Sequence, residues 1–504
     1  MAYTELIYLL LFLPCCILLY QIMPVRLRKY VLLLFSWLFF VLCSKKLILY
    51  LLVTTVFVYV MGLLIGRAPM KSRKRKVLLI LGFFGLFGTL LFVKYTNFFI
   101  RIINDLGHHS LPTLAVAAPI GISFYTLEAV SYLCEVYWGR VKPDRDFCSV
   151  ALFLSFFPQI MEGPIARYQD TASQLIKGRS VQLASVQAGS VRILWGLFKK
   201  MVIADRLNTA VSTLFQAYTD YTGAMTAASG IFYAVQLYME FSGAMDIVIG
   251  SAEIFDIRLP ENFRQPFFSQ SAAEFWRRWH ITLGVWCKTY LFYPVITSRL
   301  CMKWNKYARK KFGRYMTRIG ICAMSLTPVW LFNGIWHGPQ MNYIFYGIYY
   351  LVILMAGEML EPVRKAFYAK TGFNKNNLFW HAFRILRTWV ILFTGEMFFR
   401  ANGLRVGLDM FRRIFVNFHL SSLWHGGLTT LGLDYHDYLV VAVGIVVVLI
   451  YDILREKGVC IYDAVGRQKT PVRWACIYLL LFAIIIFGAY GTGYDKVGLI
   501  YAGY

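Results

Sequence analysis

A histidine lies within a long apolar stretch of the chain, in the segment NGIWHGPQMNYIFYG at 333–347. Imidazole exchanges protons near neutral pH, so His337 has the chemistry of a general base. Asn333 precedes His337 by one helical turn, and in a helix its amide would lie on the same face and could orient the imidazole or polarise a carbonyl. The alternative is a structural histidine, hydrogen-bonded between helices or held at the membrane interface beside Trp336. Spacing alone leaves both interpretations open.

A second group of candidate residues follows the sequence SAAEFWRRWH, which ends at His280. Ser271 with a Glu three residues later is a capping box, which predicts that a helix begins there. Two tryptophans, Trp276 and Trp279, would share a face with His280. One interpretation is an amphipathic helix at the membrane interface, where Trp and Arg are common. The other is a site for an anion, shaped by three basic side chains, Arg277, Arg278 and Lys288. His280 would then be a second catalytic or structural imidazole.

A second Trp-His-Gly triplet, with its histidine at 425, lies in the polar, glycine-rich stretch LSSLWHGGLTT. No residue at helical spacing could assist His425. The composition of this stretch predicts an exposed loop, in which the histidine has no chemical role.

The elements that must position these residues are membrane helices. Hydrophobic residues make up 58% of the 504 residues and charged residues only 15%, against about 25% charged in soluble domains. A bilayer core of about 30 Å needs about 20 apolar residues of helix. Runs of that kind include 5–20, 47–66, 77–93, 319–332 and 473–490. The sequence therefore predicts an all-α, multi-pass protein of the cell membrane, with about 11 transmembrane helices plus re-entrant or interfacial helices.

The net charge of +26 is not the mark of a nucleic-acid-binding protein, because no soluble module carries base-reading residues. Lys and Arg lie in short loops between the apolar runs, chiefly 67–76, 299–314, 361–375 and 455–473. This distribution predicts that those loops are cytoplasmic, although three arginines at 405, 412 and 413 then fall outside. About 19 residues, or about 28 Å of helix, separate Arg318 from His337, which predicts a position near the outer side of the hydrocarbon layer, or mid-membrane if the helix is tilted or re-entrant. The ten cysteines form no metal-binding motif, so no metal site is expected.

The middle of the chain, 119–300, has shorter apolar runs that are interrupted by glycine, proline and acidic residues: Glu128, Glu162, Glu240 and Asp246. Charges at membrane depth are tolerated where they are buried in protein or line a watery cavity, so this part is expected to build a polar interior. No internal repeat or low-complexity linker is present. We therefore expect one domain, 1–504, with N-terminal helices (1–117), a catalytic core (118–347) and C-terminal helices (348–504).

Five segments, in order, resemble the membrane-bound O-acyltransferase family. They are APIGISFYTLEAVSYLCEVYWGRV (118–141), FLSFFPQIMEGPIARY (153–168), FSGAMDIVIGSAEIFDIRLPENFRQPFFSQSAAEFWRRWHITLGVW (241–286), NGIWHGPQMNYIFYG (333–347) and MFFRANGL (397–404). The nearest branch is that of the alginate O-acetyltransferase membrane subunits. The D-alanyl transfer proteins of teichoic-acid modification are similar but more distant.

The resemblance implies helices ringed around a central funnel and tunnel, with His337 as the essential residue and His280 as the second family histidine. Asn333, Trp336 and the tryptophans around 276–279 would form the pocket. An acyl group, most simply acetyl, would pass from a cytoplasmic thioester, acetyl-CoA or an acyl-carrier protein, to hydroxyls of an extracytoplasmic polysaccharide. Transfer would be direct or through an acetyltransferase-like partner outside the cell. No cofactor is expected to be bound.

Two alternatives remain at this point. The first keeps the enzyme class but transfers D-alanine to teichoic acid. The second is a non-catalytic transporter of a glycan or small molecule. Transporters often show paired repeats with interrupted helices in matching positions, and this sequence shows none.

Overall fold

The computed structural model describes residues 1–371, 377–490 and 494. Within these residues the chain is almost entirely helical and contains no β-strand; one isolated antiparallel bridge joins Phe263 to Trp279. The all-α fold class predicted from the apolar runs is therefore confirmed.

The described part of the chain contains 22 α-helices, together with three π-helical turns and five short 3₁₀ turns. The α-helices are α1 (Leu13–Ile22), α2 (Val25–Ser44), α3 (Ile48–Arg67), α4 (Arg73–Gly107), α5 (Ile122–Trp138), α6 (Phe147–Ser155), α7 (Tyr168–Lys177), α8 (Leu183–Leu197), α9 (Asp205–Gln216), α10 (Gly223–Ile254), α11 (Ala272–Arg278), α12 (Ile281–Cys287), α13 (Tyr293–Ile296), α14 (Arg299–Lys311), α15 (Gly313–His337), α16 (Met341–Met359), α17 (Glu361–Thr371), α18 (Leu378–Arg400), α19 (Leu404–Val416), α20 (Tyr435–Glu456), α21 (Ile461–Gly466) and α22 (Thr470–Phe487). The π-helical turns are Ile7–Phe12, Phe198–Ala204 and Lys288–Phe292, and the 3₁₀ turns are Lys45–Leu47, Tyr218–Asp220, Pro266–Phe268, Leu420–Leu423 and Gly427–Leu431.

Five helical stretches of the described chain are long and apolar enough to cross a membrane: Val25–Arg67, Arg73–Gly107, Gly313–His337, Tyr435–Glu456 and Thr470–Phe487. A sixth is formed if α16 and α17, which meet at a bend of 44°, count as one span. Several further helices, such as α10 with its 32 residues, are long but carry buried polar groups that lower their hydropathy. The number of about 11 transmembrane helices stays a prediction.

The middle of the chain is held together by an unusually close helix crossing. A Cβ atom added to Gly196 of α8 would lie 2.4 Å from the carbonyl oxygen of Gly243 in α10, and one added to Gly189 would lie 2.4 Å from that of Gly250. Glycine at these positions lets the two backbones touch. The crossing places Asp246 of α10 within ion-pair distance of Lys199 (2.7 Å) and Arg192 (3.0 Å).

The buried acids of this region lie inside the protein. Glu128, Glu162 and Glu240 are at most 3% exposed. Glu128 accepts hydrogen bonds from Gln159 Nε2 at 2.8 Å and from the backbone N–H of Ala166 at 3.2 Å. The main hydrophobic core of the described residues runs from Tyr3 to Ile484, and a second, small cluster joins Leu214 and Met225 to Leu431. The division into 1–117, 118–347 and 348–504 stays a prediction.

Candidate active site

His337 is the last residue of α15 and is buried, with 5% of its surface exposed. Pro339 follows, and it prevents the helix from continuing. The chain turns at once into α16, and the two helices cross where both have glycine. A Cβ on Gly334 would lie 2.5 Å from the carbonyl oxygen of Tyr343, and one on Gly347 would lie 2.3 Å from that of Trp330. This approach presses His337 against the first turns of α16.

Aromatic rings surround the imidazole of His337. The distances from its centroid are 4.9 Å to Phe399, 5.1 Å to Trp336, 6.1 Å to Tyr346 and 6.4 Å to Tyr343. Asn333 is also buried, at 8% exposure, one turn earlier on α15. Asn333 and His337 are therefore one turn apart in the same continuous helix, as predicted.

His280 approaches the same place from a different part of the chain. Ser271 is the N-cap as predicted, since its Oγ accepts from the N–H of Glu274 at 3.2 Å. The reciprocal bond of the capping box is shifted by one residue, because the Glu274 carboxylate accepts from the N–H of Gln270 at 3.0 Å. The helix ends after seven residues, however, and His280 adopts a left-handed conformation with φ 45°. Its ring lies 5.9 Å from that of Trp336, so Trp336 contacts both imidazoles.

The interfacial-helix interpretation does not describe this segment. Trp279 is buried, at 5% exposure, and stacks among Phe263, Phe275 and Tyr238. Trp276 packs against aromatic rings of α15 and α16. Trp279 is thus buried and Trp276 half-buried against Trp330, Tyr346 and Tyr350, and neither lies on an open amphipathic surface.

Asn262 holds His280 in place, and the sequence analysis did not single it out. Its Oδ1 lies 3.2 Å from His280 Nδ1 and accepts from the N–H and the hydroxyl of Thr282 at 3.0 and 2.9 Å. Its carbonyl accepts from the N–H of Ile281 at 3.0 Å. A carbonyl-type oxygen can only accept, so the His280 Nδ1–H donates and Nε2 is the acceptor nitrogen of the ring. No sequence spacing links positions 262 and 280. The two residues meet because Phe263 and Trp279 form a backbone bridge, which only the folded structure shows.

A cavity of about 980 Å³ contains both histidines in its wall. Seven of the nine predicted site residues line it: His337, His280, Asn333, Trp276, Trp279, Arg277 and Lys288. The wall continues to α17 and the first turns of α18, where Arg364 and Arg387 line it. The cavity thus joins the buried histidines to a basic region that the charge pattern predicts to be cytoplasmic. Such a shape suits a long substrate whose reactive end reaches His337.

Comparison with known proteins identifies the protein family. A model of the membrane-bound O-acyltransferase family, MBOAT, matches residues 2–400. The chain belongs to this family. It is therefore an O-acyltransferase of the cell membrane, and the transporter alternative is not retained.

Three relatives of this O-acyltransferase differ in the activity that their names give. It is 30% identical to the probable alginate O-acetylase AlgI of Pseudomonas syringae pv. tomato over 437 residues, which cover 86% of this chain and 79% of that protein. It is 30% identical to the peptidoglycan O-acetyltransferase of Helicobacter pylori over 65% of this chain and 66% of that protein. It is 28% identical to the teichoic acid D-alanyltransferase of Bacillus subtilis over 52% of this chain and 63% of that protein.

Two of the predicted site residues of this O-acyltransferase do not line the cavity. The ring of Trp336 instead contacts both imidazoles, at 5.9 Å from His280 and 5.1 Å from His337. Arg278 turns away and pairs with carboxylates, at 2.8 Å to both Glu456 and Glu274. Of the three basic residues proposed to shape an anionic site, only Arg277 and Lys288 are therefore available to the cavity.

The cavity wall also contains a carboxyl group that the sequence analysis missed. Glu396 of α18 is 3% exposed, and its Oε1 accepts a hydrogen bond from the Tyr346 hydroxyl at 3.0 Å. Its Oε2 has no hydrogen-bond partner within the described residues. The residue lies just before the MFFRANGL segment, in a helix whose periodicity does not distinguish a site residue from a packed one.

Proposed function

We propose that this O-acyltransferase moves an acyl group, most simply acetyl, from a cytoplasmic thioester to hydroxyl groups of an extracytoplasmic polysaccharide. The observation that carries the proposal is the single cavity that joins two buried histidines to a basic end on α17 and α18. The names of the relatives from Pseudomonas and Helicobacter, which transfer acetyl groups to alginate and peptidoglycan, support the acyl group and the kind of acceptor.

His337 would act as the general base. Its imidazole would take the proton of the acceptor hydroxyl while the hydroxyl oxygen attacks the thioester carbonyl. When the tetrahedral intermediate collapses, the carbon–sulfur bond breaks and the thiol leaves with that proton. The atoms balance as an ester plus a free thiol. The acceptor hydroxyl belongs either to the polysaccharide or to a serine of an extracytoplasmic partner that passes the group on.

The other site residues would bind and shield the reactants. Asn333, one turn from His337, is placed to orient the imidazole or to polarise the thioester carbonyl. His280, fixed by Asn262 and in contact with Trp336, would shape the site beside His337. The aromatic wall, which includes Trp276 and Trp279, would exclude water, since water would hydrolyse the thioester.

The basic end of the cavity would receive the donor. Arg277, Lys288, Arg364 and Arg387 line it, and phosphate groups of acetyl-CoA or of a carrier protein's prosthetic arm would be attracted to them. The same basic residues also favour a cytoplasmic position for these segments, so donor binding is not their only use.

D-Alanyl transfer is the second candidate. Glu396 gives the cavity a buried carboxyl group, which suits the ammonium of an aminoacyl donor, and the Bacillus relative is named as a D-alanyltransferase. An acetyl group makes no use of such a charge.

The test is the ester content of the surface polysaccharide, released by mild alkali from cells that carry the wild type, His337→Ala or His425→Ala. We expect His337→Ala to lose the ester. His425 is exposed in a loop, so His425→Ala serves as a matched control that keeps the ester. Acetate in the released fraction supports the first candidate and D-alanine the second. Unchanged acetate and D-alanine with stably produced His337→Ala protein would rule out the catalytic role.

A further inference from the structure

Helix α4 carries a lysine that none of the steps above uses. Lys94 lies about 21 residues, or about 32 Å of helix, from Arg73 at the basic end of α4. His337 lies about 24 residues, or about 36 Å, from Gly313 at the basic end of α15. The two residues are therefore at similar depth in helices that both have the length and apolarity of membrane spans. Lys94 is half-buried against other helices and not free in water, and an ionisable group enclosed in this way in a membrane protein usually has a role.

The contacts of Lys94 lead directly to the segment that ends in His337. Its Nζ donates to the backbone carbonyl of Trp336 at 3.1 Å and to the Ser123 hydroxyl at 3.1 Å. The next residue, Tyr95, donates its hydroxyl to the carbonyl of Ile335. Two neighbouring side chains of α4 thus bind two neighbouring carbonyls of α15.

These carbonyls belong to the last turn of α15, where that of Ile335 also accepts from the N–H of Gly338 at 3.2 Å. The last four carbonyl groups of an α-helix have no intrahelical donor and together carry a partial negative charge. Water usually satisfies them, but Trp336 and His337 are buried. A lysine ammonium supplies both a donor and a positive charge that complements the helix dipole.

No other obvious partner explains the lysine. Within residues 1–371, 377–490 and 494, Lys94 forms no ion pair with a carboxylate. A lysine that served only to stabilise packing between α4 and its neighbours would gain from pairing with a buried acid, but Glu128 of α5 accepts instead from Gln159 and from the N–H of Ala166. Its bonds instead go to the helix end and to Ser123 of α5.

We infer that Lys94 is a positioning residue of the reaction. It holds the last turn of α15 so that the imidazole of His337 keeps its place beside Trp336 in the cavity wall. The inference rests on the proposed role of His337 as the base. Lys94 itself does not line the cavity and does not touch the reactants.

The variants for the test are Lys94→Met, which keeps the length but removes the charge and the donor, and Lys94→Arg, which keeps both. Arg101→Met is the matched control, because Arg101 is an exposed cation about two turns further along α4. Each full-length protein is produced in its cell membrane, and polysaccharide ester is measured per amount of folded protein. We expect Lys94→Met to lose about 10- to 100-fold in ester formation, as a displacement near 1 Å would cause. Lys94→Arg should recover part of this loss, and Arg101→Met should match the wild type.

A second readout does not depend on activity. Purified protein is treated with diethyl pyrocarbonate, and carbethoxylation is followed by mass spectrometry at His337, with His280 and the exposed His425 as internal references. If Lys94 holds the turn, Lys94→Met lets it open, and modification at His337 should rise about tenfold while the two references stay unchanged. A uniform rise at all three histidines would mean general destabilisation and would overturn the inference.

Ester formation by Lys94→Met within about twofold of the wild type, the size of a neutral substitution, would also overturn it. So would an equal loss in Arg101→Met. The two proposals fail separately. If His337→Ala keeps the ester, the proposed function fails, whereas the carbethoxylation pattern still tests the positioning. If His337→Ala loses the ester and Lys94→Met does not, only the role of Lys94 is rejected.

Discussion

At the scale of residues, the site depends on how neighbours fix each imidazole. His280 has a defined tautomer because Asn262 Oδ1 receives the Nδ1–H together with two donors of Thr282. The residue pattern could predict the chemistry of His337 and Asn333, which lie one turn apart. It could not predict Asn262, because the contact joins two segments 18 residues apart through a loop. Glu396 was missed for a related reason: a single acid in an apolar helix has no periodic partner.

Removing the Asn262 side chain should abolish the fixed orientation of His280 without changing a residue of the cavity wall. Asn262→Ala leaves buried donors of His280 and Thr282 without an acceptor, which costs about 1–3 kcal/mol for each group. We expect ester formation to fall to the level of His280→Ala, and the double variant Asn262→Ala/His280→Ala to be no worse than His280→Ala. Ester content per folded protein measures this. Independent, multiplying losses would show that Asn262 acts on something other than His280.

At the scale of elements, the helix boundaries that matter were partly predictable. Pro339 predicts the end of α15 beside His337, and the capping box predicts the start of α11 at Ser271. The early end of α11 was not predictable from periodicity. It follows from the pairing of 262–264 with the segment that ends at His280, a tertiary contact that overrides the helical pattern of SAAEFWRRWH.

The crossing of α8 and α10 is an element-scale contact that should be sensitive to substitution. In Gly196→Ala the new Cβ would lie 2.4 Å from the carbonyl oxygen of Gly243, so the helices must separate. Overpacking of this kind costs about 1–3 kcal/mol, and separation would also stretch the Lys199–Asp246 pair. We expect a lower unfolding temperature of the purified protein in detergent.

Gly88→Ala in α4 is the matched control for that change. An added Cβ at Gly88 meets nothing within 4 Å, and alanine in a helix interior is more favourable than glycine by about 0.5–1 kcal/mol. The two glycine-to-alanine changes should therefore shift the unfolding temperature in opposite directions. Equal shifts would mean that the close crossing contributes little to stability.

At the scale of the whole molecule, orientation in the membrane decides which end of the cavity can receive the donor. Basic loops predict that α14 and α17 face the cytoplasm. The arginines of α19 are the main exception to this charge rule, since they fall on the predicted outer side. Asp409 offsets part of their positive charge, because it lies 3.4 Å from Arg412 and 3.6 Å from Arg413. Composition could predict this arrangement of charges, but the path of the cavity from α17 to His337 required the packed structure.

Cysteine labelling with a membrane-impermeant maleimide tests this orientation. One cysteine at a time is placed at the exposed positions Lys306, Lys365, His109 and His425. The background is a chain whose exposed and half-buried cysteines, at 15, 43, 148, 322, 460 and 476, are changed to serine. We expect His109→Cys and His425→Cys to react in intact cells, and Lys306→Cys and Lys365→Cys to react only after the membrane is opened. Because Lys365 lies on α17 beside the basic end of the cavity, its labelling in intact cells would place that end outside. A cytoplasmic thioester could then not enter there, and the donor would have to reach His337 by another route.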